Sequence, residues 1–273
     1  MSRRAALLAL LALPVGLAVA PGAANQALDR LSCLAQPFRV VELSTSQEGV
    51  LRSVQVSKGD RVARGQVIAT LVSEVEQANV NLAAERTRAT ASLESRQARV
   101  DYARARLERV QGLGQKQFVS SEEMDELRLE LALAKLALRE EQERIVLARL
   151  DLERARALLE LRTVRSPIDG VVVERYLSEG EFAQAQRIVR VAQVDPLTIE
   201  VALPASRFGS VRQGQAATVR LAAPVGGAHA ATVTQVDSII DGASATFTAR
   251  LELANPDYRL PAGIDCQVDF EGD

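Results

Sequence analysis

A short β-rich segment occurs twice in this sequence, once on each side of a long charged stretch that contains no proline from residue 72 to residue 166. Residues 49–71 read GVLRSVQVSKGDRVARGQVIATL, and residues 170–192 read GVVVERYLSEGEFAQAQRIVRVA. At one constant offset the copies share glycines, a serine and an acidic position. Because each copy is too short to bury its own apolar face, we expect the two to pair into one small β-sandwich, with the stretch between them emerging from their link.

Within each copy, β-branched residues alternate with polar ones, which predicts short, half-buried strands. Glycines separate these strands, and residues 58–60, Lys-Gly-Asp, are typical of a tight turn. We therefore expect five glycines to shape the turns of the β-sandwich: Gly49, Gly59, Gly65, Gly170 and Gly180.

From about residue 74 the period of the apolar residues changes from two to seven. In the first part the rows are Val75, Leu82, Ala89, Ala103 and Val110, with Leu93, Val100 and Leu107 beside them. In the second part they are Met124, Leu131, Leu138, Ile145, Leu152 and Leu159, with Leu127, Ala134, Ala148 and Ala155. The pattern predicts two helices, 74–111 and 121–162, that pair as an antiparallel coiled-coil hairpin roughly 55 Å long.

The connection between the two predicted helices has clear end signals. Gly112 and Gly114 are expected to end the first helix. Ser120, with Glu123 three residues later, forms the sequence pattern of a capping box and begins the second helix.

The last part of the chain, residues 194–273, contains alternating β-branched segments separated by Gly- and Pro-bearing turns. It contains no helical pattern of any length. This arrangement predicts a small antiparallel β-barrel.

The N-terminus has the layout of a secretory signal. Arg3 and Arg4 precede an apolar run over residues 5–20, and small residues follow around Ala24. A run of about 16 residues is short for a membrane span, which needs roughly 20. We expect cleavage after Ala24 and export of the mature chain. The alternative is an uncleaved anchor in the inner membrane.

Cys33 and Cys266 are the only cysteines. An even pair in an exported chain favours a disulfide that joins the two ends of the mature protein. The alternative is two buried free thiols. Without a C-x-x-C motif, redox catalysis by this pair is not expected.

The sequence offers little catalytic or metal-binding chemistry. His229, the only histidine, stands in a Gly-rich stretch and is expected to be a solvated loop residue. Soft-metal ligands are too few for a convincing site, and known catalytic motifs are missing. The 33 basic and 35 acidic residues balance, which argues against nucleic-acid binding. We expect neither an enzyme nor a cofactor or metal.

Together, the two β copies, the predicted hairpin between them and the segment TIEVALPASRFGSVRQGQAATV resemble the periplasmic adaptor, or membrane fusion protein, family (HlyD-like) of tripartite efflux pumps and type I secretion systems. The resemblance implies an elongated, multidomain α+β fold. In it, a helical hairpin is inserted in a split lipoyl-like β-sandwich that is followed by a β-barrel.

The resemblance also implies partners. In efflux adaptors of this family, an Arg, a Leu four residues on and a Ser seven further lie at the hairpin tip and are proposed to contact a TolC-like outer-membrane channel. Arg109, Leu113 and Ser120 keep this spacing. The other implied partners are an inner-membrane RND or ABC transporter and further copies of the chain in a ring, a hexamer or trimer of dimers.

The expected domains follow from these segments. They are a signal peptide (1–24), a segment joining the barrel (25–38), the two halves of the lipoyl-like domain (39–73 and 163–193), the hairpin (74–162) and the barrel (194–273). Many adaptors continue past the barrel into a membrane-proximal domain, whereas this sequence reaches Asp273 directly after it. The barrel and the lipoyl-like domain would then supply transporter docking.

Two other functions remain open at this point. A biotinyl- or lipoyl-type carrier would bear a modified lysine at the hairpin between the halves, but the helices occupy that place and Lys58 lies in a different turn. A structural spacer of the envelope would have no transport partner at all.

Overall fold

The computed structural model describes residues 31–114 and 120–271; the predicted signal peptide lies outside them. The strands are β1 (Leu31–Ser44), β2 (Gly49–Val54), β3 (Arg61–Val62), β4 (Val67–Leu71), β5 (Thr163–Arg165), β6 (Gly170–Arg175), β7 (Phe182–Ala183), β8 (Arg187–Pro204), β9 (Ala216–Leu221), β10 (Ala228–Val236), β11 (Thr246–Leu253) and β12 (Ile264–Phe270). The α-helices are α1 (Glu74–Arg88), α2 (Ala91–Gly114) and α3 (Ser121–Glu160), and a short 3₁₀ helix spans Ala205–Arg207.

The two β-rich copies form one body by exchanging strands. In the first copy Val50 on β2 pairs with Phe182 on β7. At the equivalent positions of the second copy, Val171 on β6 pairs with Arg61 on β3. Each half therefore completes the sheet of the other, and the sandwich has an approximate twofold symmetry that follows the sequence repeat.

Backbone hydrogen bonds repeat the same symmetry. Leu51 N donates to Glu181 O at 2.9 Å, and Val172 N donates to Asp60 O at the same distance. The buried core of the sandwich draws on both halves: Leu43, Leu51, Val56, Val62, Ile68, Ala69, Leu71, Val164, Ile168, Val172, Ala183, Ile188, Val189 and Val191. Because the core is shared, neither half encloses a core of its own.

The predicted turn glycines separate into two groups. Three lie in turns with a positive φ: Gly59 at 92°, Gly65 at 83° and Gly180 at 85°. Gly49 and Gly170 instead open strands β2 and β6, so their placement in turns was wrong. A Cβ on Gly170 would lie 2.3 Å from Ala192 O, which shows that this position needs glycine because two strands approach closely there.

The C-terminal part forms a closed antiparallel barrel. Its strands follow the order β1, β12, β9, β10, β11 and β8, and pairing of β1 with β8 closes the circle. The barrel encloses its own apolar cluster, in which Ile199, Val201 and Leu251 have no exposed surface. Cys33 on β1 faces Cys266 on β12, and the two form a disulfide with sulfur atoms 2.01 Å apart.

Strands β1 and β8 run through both β bodies. The C-terminal part of β1 pairs with the N-terminal part of β8 beside the sandwich. The N-terminal part of β1 pairs with the C-terminal part of β8 in the barrel, and the register shifts between Pro37 and Arg39. Arg61 of the sandwich reaches the barrel, where its Nη2 donates to Asp257 O at 2.7 Å and its guanidinium lies 4.6 Å from the ring centre of Tyr258. The barrel and the sandwich are thus joined by two continuous strands and a side-chain bridge.

The single first helix predicted over 74–111 was wrong. The structure has two helices, α1 and α2, which are interrupted at Ala89 and Thr90. Ala89 leaves the helical region with ψ of 89°, and Glu94 N donates to Thr90 O at the start of α2. A threonine with a glutamate four residues later can begin a new helix, and Thr90 Oγ1 also contacts Glu94 Oε1 at 3.1 Å.

The interruption also changes which residues face α3. The predicted row of Val75, Leu82 and Ala89 is exposed, and Ala83 is buried instead. In α2, Val100 and Ala103 are buried, as the pattern predicts. The break therefore resets the phase of the apolar face by one residue, which a continuous heptad count cannot anticipate.

Helix α3 runs from Ser121 to Glu160, about 60 Å at 1.5 Å per residue. Its predicted apolar rows are all buried or half-buried, whereas α1 and α2 pack in succession along it. Arg106 Nη1 of α2 contacts Glu130 Oε2 of α3 at 3.1 Å, and Ser92, near the start of α2, contacts Arg144, farther along α3. Because the earlier residue of α2 pairs with the later residue of α3, the two helices run in opposite directions. We refer to α1, α2 and α3 together as the helical arm.

Candidate interaction surfaces

The far end of the helical arm contains the three residues expected to contact a channel. Arg109 is exposed near the C-terminal end of α2. Ser120 precedes α3, and its Oγ accepts a hydrogen bond from Glu122 N at 3.1 Å rather than from Glu123, the partner expected in a capping box. Leu113 belongs to α2, but its side chain and residues 115–119 lie outside the described residues. Arg109 and Ser120 therefore share the end at which α2 finishes and α3 begins.

A second surface lies along the outer side of α3, opposite the side that packs on α1 and α2. Six large aliphatic side chains on it are each more than half exposed: Leu129, Leu133, Leu136, Val146, Leu147 and Leu150. We call this surface the outer stripe. Sequence reasoning missed it, although Leu129, Leu136 and Leu150 keep heptad spacing and Leu133 and Leu147 lie beside them.

The charges of the arm are unequal between its two sides. Helix α3 carries 11 acidic and 7 basic side chains, whereas α2 carries 3 acidic and 5 basic ones. Long apolar stripes flanked by charges are typical of helices that pack against other helices, and opposite charges select the partner face. The outer stripe of α3 is thus suited to a basic helical face.

The base of the arm is fastened to the sandwich by Arg162. Its Nη1 donates to Glu48 O at 2.8 Å, and its Nε and Nη2 contact Glu76 Oε1 at 3.0 and 2.6 Å. A hydrogen bond to its own backbone amide, together with Arg162, holds the pKa of Glu76 below its ordinary value. Both side chains are largely buried, which makes this contact stronger than a surface ion pair.

The interruption between α1 and α2 is braced from α3. Glu141, whose side chain is only 6% exposed, pairs with Arg144, and Arg144 Nη2 donates to Ser92 Oγ at 3.1 Å. The hydrogen bond from Arg144 lowers the pKa of the Glu141 carboxyl. A cleft of about 390 Å³ opens beside this contact and is lined by Ala89, Ala91 and Ala148 among others. The small residues at the break leave space that a regular helix would fill.

Catalytic and metal-binding groups are sparse. In residues 31–114 and 120–271 there is no group of three or more His, Cys, Asp or Glu side chains arranged to hold a metal ion. His229 is not a loop residue as predicted: it lies in β10, half-buried, with Nε2 3.4 Å from Gly226 O. The turn that contains Gly226 and Gly227 ends just before His229. Strand β10 therefore begins closer to these glycines than the sequence suggests.

Three separate apolar clusters organise the described residues: one in the barrel, one in the sandwich and a small one in the helical arm. No helix in the described ranges is both long and apolar enough to cross a membrane. A split β-sandwich that carries helices and adjoins a closed barrel is the architecture of the periplasmic adaptor, or membrane fusion, proteins.

Comparison with known families defines the relationship more closely. Residues 39–193 match the family described as "CzcB-like, barrel-sandwich hybrid domain", and residues 197–273 match "CusB-like, beta-barrel domain". The first match covers more than half of the chain, so the chain belongs to the CzcB-like family of membrane fusion proteins. The resemblance found in the sequence is thereby confirmed, and the family is one of non-enzymatic adaptors.

Individual relatives are distant in sequence. The chain is 26% identical over 225 residues to the cobalt-zinc-cadmium resistance protein CzcB of Cupriavidus metallidurans, a match that covers 82% of this chain and 41% of CzcB. It is 24% identical over 249 residues to the macrolide export protein MacA of Yersinia pestis, covering 85% of this chain and 65% of MacA. The chain thus spans about two fifths of the length of CzcB.

A solved structure shows the same fold. MacA from Actinobacillus actinomycetemcomitans superposes with a TM-score of 0.73 and 21% identity, covering 88% of this chain and 77% of that protein. At this identity the likeness concerns the fold, namely the β-sandwich, the β-barrel and the long helix.

Proposed function

We propose that this chain is a periplasmic adaptor subunit that links an inner-membrane transporter to a TolC-like outer-membrane channel for efflux or secretion. Membership in the membrane fusion protein family supports the adaptor role. The observation that carries the proposal is the helical arm, which is rooted in the sandwich through Arg162 and whose described contacts are chiefly between its own helices. An arm about 60 Å long that covers neither β body is suited to reach a distant partner.

In this proposal the helices act as a coiled-coil hairpin whose tip meets the channel. Arg109, Leu113 and Ser120 supply the contact, with Arg109 offering an exposed guanidinium that can form bidentate bonds to a carboxylate or to backbone carbonyls. The role is mechanical and steric: the tips hold the channel end open and seal the conduit. A single tip contact is weak, and its repetition around an assembly strengthens it.

Self-association supplies that repetition. We assign the outer stripe of α3 to contact with the more basic α2 of a neighbouring copy in a ring, either a hexamer or a trimer of dimers. The six exposed aliphatic side chains and the opposite charge balance of α2 and α3 support this assignment. The ring places the sandwiches and barrels side by side as the lower wall of the conduit.

The β bodies would dock on the transporter, of either the RND or the ABC type, in the periplasm of a Gram-negative bacterium. Export would depend on the predicted signal peptide. The names of the relatives suggest two cargo classes, since CzcB is a cobalt-zinc-cadmium resistance protein and MacA a macrolide export protein. An adaptor need not bind the cargo itself, so cargo is a property of the whole pump.

The proposal is tested in the native host by deleting the gene and measuring resistance to cobalt, zinc, cadmium and macrolides. Deletion should sensitise cells to one of these classes, and the intact gene should restore resistance. Arg109→Asp should fail to restore it, whereas Arg149→Asp, an exposed arginine in the middle of α3, should restore it. Equal restoration by the two variants would remove the tip contact from the proposal, and a deletion without phenotype in any export assay would favour a structural spacer.

A second measurement separates the adaptor from a carrier. A photo-crosslinking amino acid at position 109 should capture an outer-membrane channel protein, which mass spectrometry can identify. The intact mass of the exported protein should show no added biotin or lipoyl group. An added mass at Lys58 would instead support the carrier function.

A further inference from the structure

The end of the barrel farthest from the sandwich gathers several chain segments. Strand β8 finishes there at Pro204, which pairs with Thr246 at the start of β11. The connection from β8 to β9 (205–215) and the loop from β10 to β11 (237–245) meet at this end, joined by a hydrogen bond from Ala205 N to Ala245 O at 2.8 Å. Strand β1 also begins there, with Leu31 beside Val268. We call this region the barrel end.

Three large apolar side chains protrude from the barrel end. Ile239 is 80% exposed, Phe208 51% and Ile240 41%. Ile239 and Ile240 lie together on the loop between β10 and β11, and Phe208 lies on the connection that is hydrogen-bonded to this loop. An isoleucine that is four-fifths exposed gains nothing from the fold of its own chain, so its apolar character is available to a partner.

The loops that present these side chains are ordered by their own contacts. Asp241 Oδ1 accepts a hydrogen bond from Ala243 N at 2.8 Å, which fixes the turn after Ile240. The ring of Phe208 meets Phe247 edge-on, with centroids 5.3 Å apart. Val211 is buried in the barrel core and anchors the connection from β8 to β9. The turn thus presents Ile239 and Ile240, while Phe208 packs one side of its ring on the core and leaves half of its surface exposed.

One side of the barrel end carries an exposed basic side chain beside the apolar ones. The connection over residues 205–215 contains no acidic residue, and its Arg212 is exposed. On the other loop, Asp237 Oδ1 accepts from Gln235 Nε2 at 3.0 Å and Asp241 caps its own turn. Both carboxylates keep their charge, so the basic side of the barrel end is the connection over residues 205–215. Basic side chains beside exposed aliphatic ones are the combination that binds the surface of phospholipid membranes.

The chain that precedes β1 leads to the same surface. Residues 5–20 form the apolar run that follows Arg3 and Arg4, and only residues 21–30 separate it from Leu31. Ten residues span at most about 35 Å when fully extended. In the alternative in which this run is kept as an uncleaved inner-membrane anchor, the barrel end is the part of the described structure tethered beside the bilayer. If the run is cleaved, the exposed side chains alone would make the contact.

We propose that the barrel end rests on a phospholipid bilayer, with Ile239 and Ile240 entering the headgroup region. The patch fits a membrane better than a protein partner. A specific protein interface buries roughly 800 Å² on each side around a packed centre, whereas three side chains on two loops offer much less and protrude from the surface. This contact lies on the barrel, whereas the proposed channel contact lies at the tip of the arm, so the two do not depend on each other.

Tryptophan fluorescence provides the test, because the chain contains no tryptophan. Ile239→Trp in the full chain is mixed with protein-free vesicles of phosphatidylethanolamine and phosphatidylglycerol that include brominated lipid. The matched control is Val225→Trp, a partly exposed site in the turn between β9 and β10, at the other end of the barrel. Circular dichroism verifies that both variants are folded.

The expected result is a blue-shifted emission that the brominated lipid quenches for Ile239→Trp and not for Val225→Trp. In the otherwise natural chain, Ile239→Ser combined with Ile240→Ser should weaken vesicle binding by about tenfold or more, because two aliphatic side chains no longer leave water. Equal emission of the two tryptophan variants in vesicles would overturn the proposal. A response only to native inner-membrane vesicles with their proteins would also overturn it and would identify a membrane protein as the partner.

Discussion

The β bodies and the helical arm bury their apolar residues to very different extents. In the barrel, side chains such as Ile199, Leu203 and Leu251 have no exposed surface. In the described part of the arm, the buried cluster consists of Val100, Ala103 and Ala134, and six large aliphatic side chains stand exposed on the outer stripe. The β bodies thus enclose large cores of their own, whereas the arm buries few side chains and exposes a long apolar stripe. The difference teaches that the β bodies supply most of the stability of the chain, whereas the arm keeps much of its apolar surface for contacts outside the chain.

The largest effect should come from the barrel core. Ile199→Ala should lower the free energy of unfolding by about 2–5 kcal/mol, because a buried side chain is lost and a cavity remains. Urea denaturation followed by circular dichroism measures this change. Leu133→Ala on the outer stripe is the matched control and should change the value far less. Similar losses for the two variants would contradict the difference between the regions.

Removal of the disulfide should destabilise the barrel next most strongly. Cys33→Ala combined with Cys266→Ala should cost about 2–4 kcal/mol, since the bond joins the first and last strands and restrains the unfolded chain. Hydrogen exchange should show faster opening of β1 and β12 and unchanged exchange in α3. Reaction of two thiols in the denatured, non-reduced natural protein would show that the bond does not form in the periplasm.

An intermediate effect is expected where the arm joins the sandwich. Arg162→Gln removes the contacts with Glu76 and Glu48 and should cost about 1–3 kcal/mol, the range for hydrogen bonds to charged groups. Exchange in α1 should accelerate while the barrel strands keep their protection. Arg156→Gln, an exposed arginine of α3, is the control. Uniform acceleration over the whole chain would argue against a local fastening point.

Acid should weaken the arm before the barrel. The lowered pKa values of Glu76 and Glu141 mean that their carboxylate forms are favoured in the folded state. Their contribution is therefore present above the ordinary glutamate pKa of 4.5 and is lost as the pH falls through the lowered folded value. Hydrogen exchange at a series of pH values, corrected for intrinsic rates, should show this selective loss in α1 and around residue 141. Parallel loss in the barrel strands would contradict it.

The smallest effect on stability is expected at the outer stripe. Leu133→Ser combined with Leu136→Ser should change the free energy of unfolding of the monomer by only about 0.5 kcal/mol, because both side chains are already more than half exposed. The same variant should lose self-association in analytical ultracentrifugation at high protein concentration. Retained self-association would exclude the stripe as the contact between copies.

The sequence predicted those elements whose signals are local and periodic. The heptad rows of α3 matched its packed side, and the shared glycines and acidic positions of the two copies indicated that they pair. The break at Ala89 and Thr90 was missed because a single threonine among helix formers is a weak signal, and a count by sevens continues through it. Its consequence, exposure of Val75 and Leu82, depends on tertiary packing of α1 against α3.

Longer-range features were less accessible from the sequence. The length of β1 and β8, which serve both β bodies, depends on pairing between residues far apart in the chain. In the sequence, Gly170 looks like a turn glycine. The structure shows that glycine is required there because the backbone of Ala192, on a neighbouring strand, leaves no space for a Cβ. The outer stripe was overlooked because the inner rows of α3 already accounted for a packed face.

The most direct test of the arm as a partner-binding element uses one new cysteine. Leu133→Cys carries a single free thiol when Cys33 and Cys266 are bonded, and Lys58→Cys in the sandwich turn is the control. Maleimide labelling is compared between the purified monomer and cells that contain the intact pump. The thiol at position 133 should react readily in the monomer and slowly in the cells, while position 58 reacts in both. Rapid reaction at position 133 in the cells would contradict the claim that partners cover the arm.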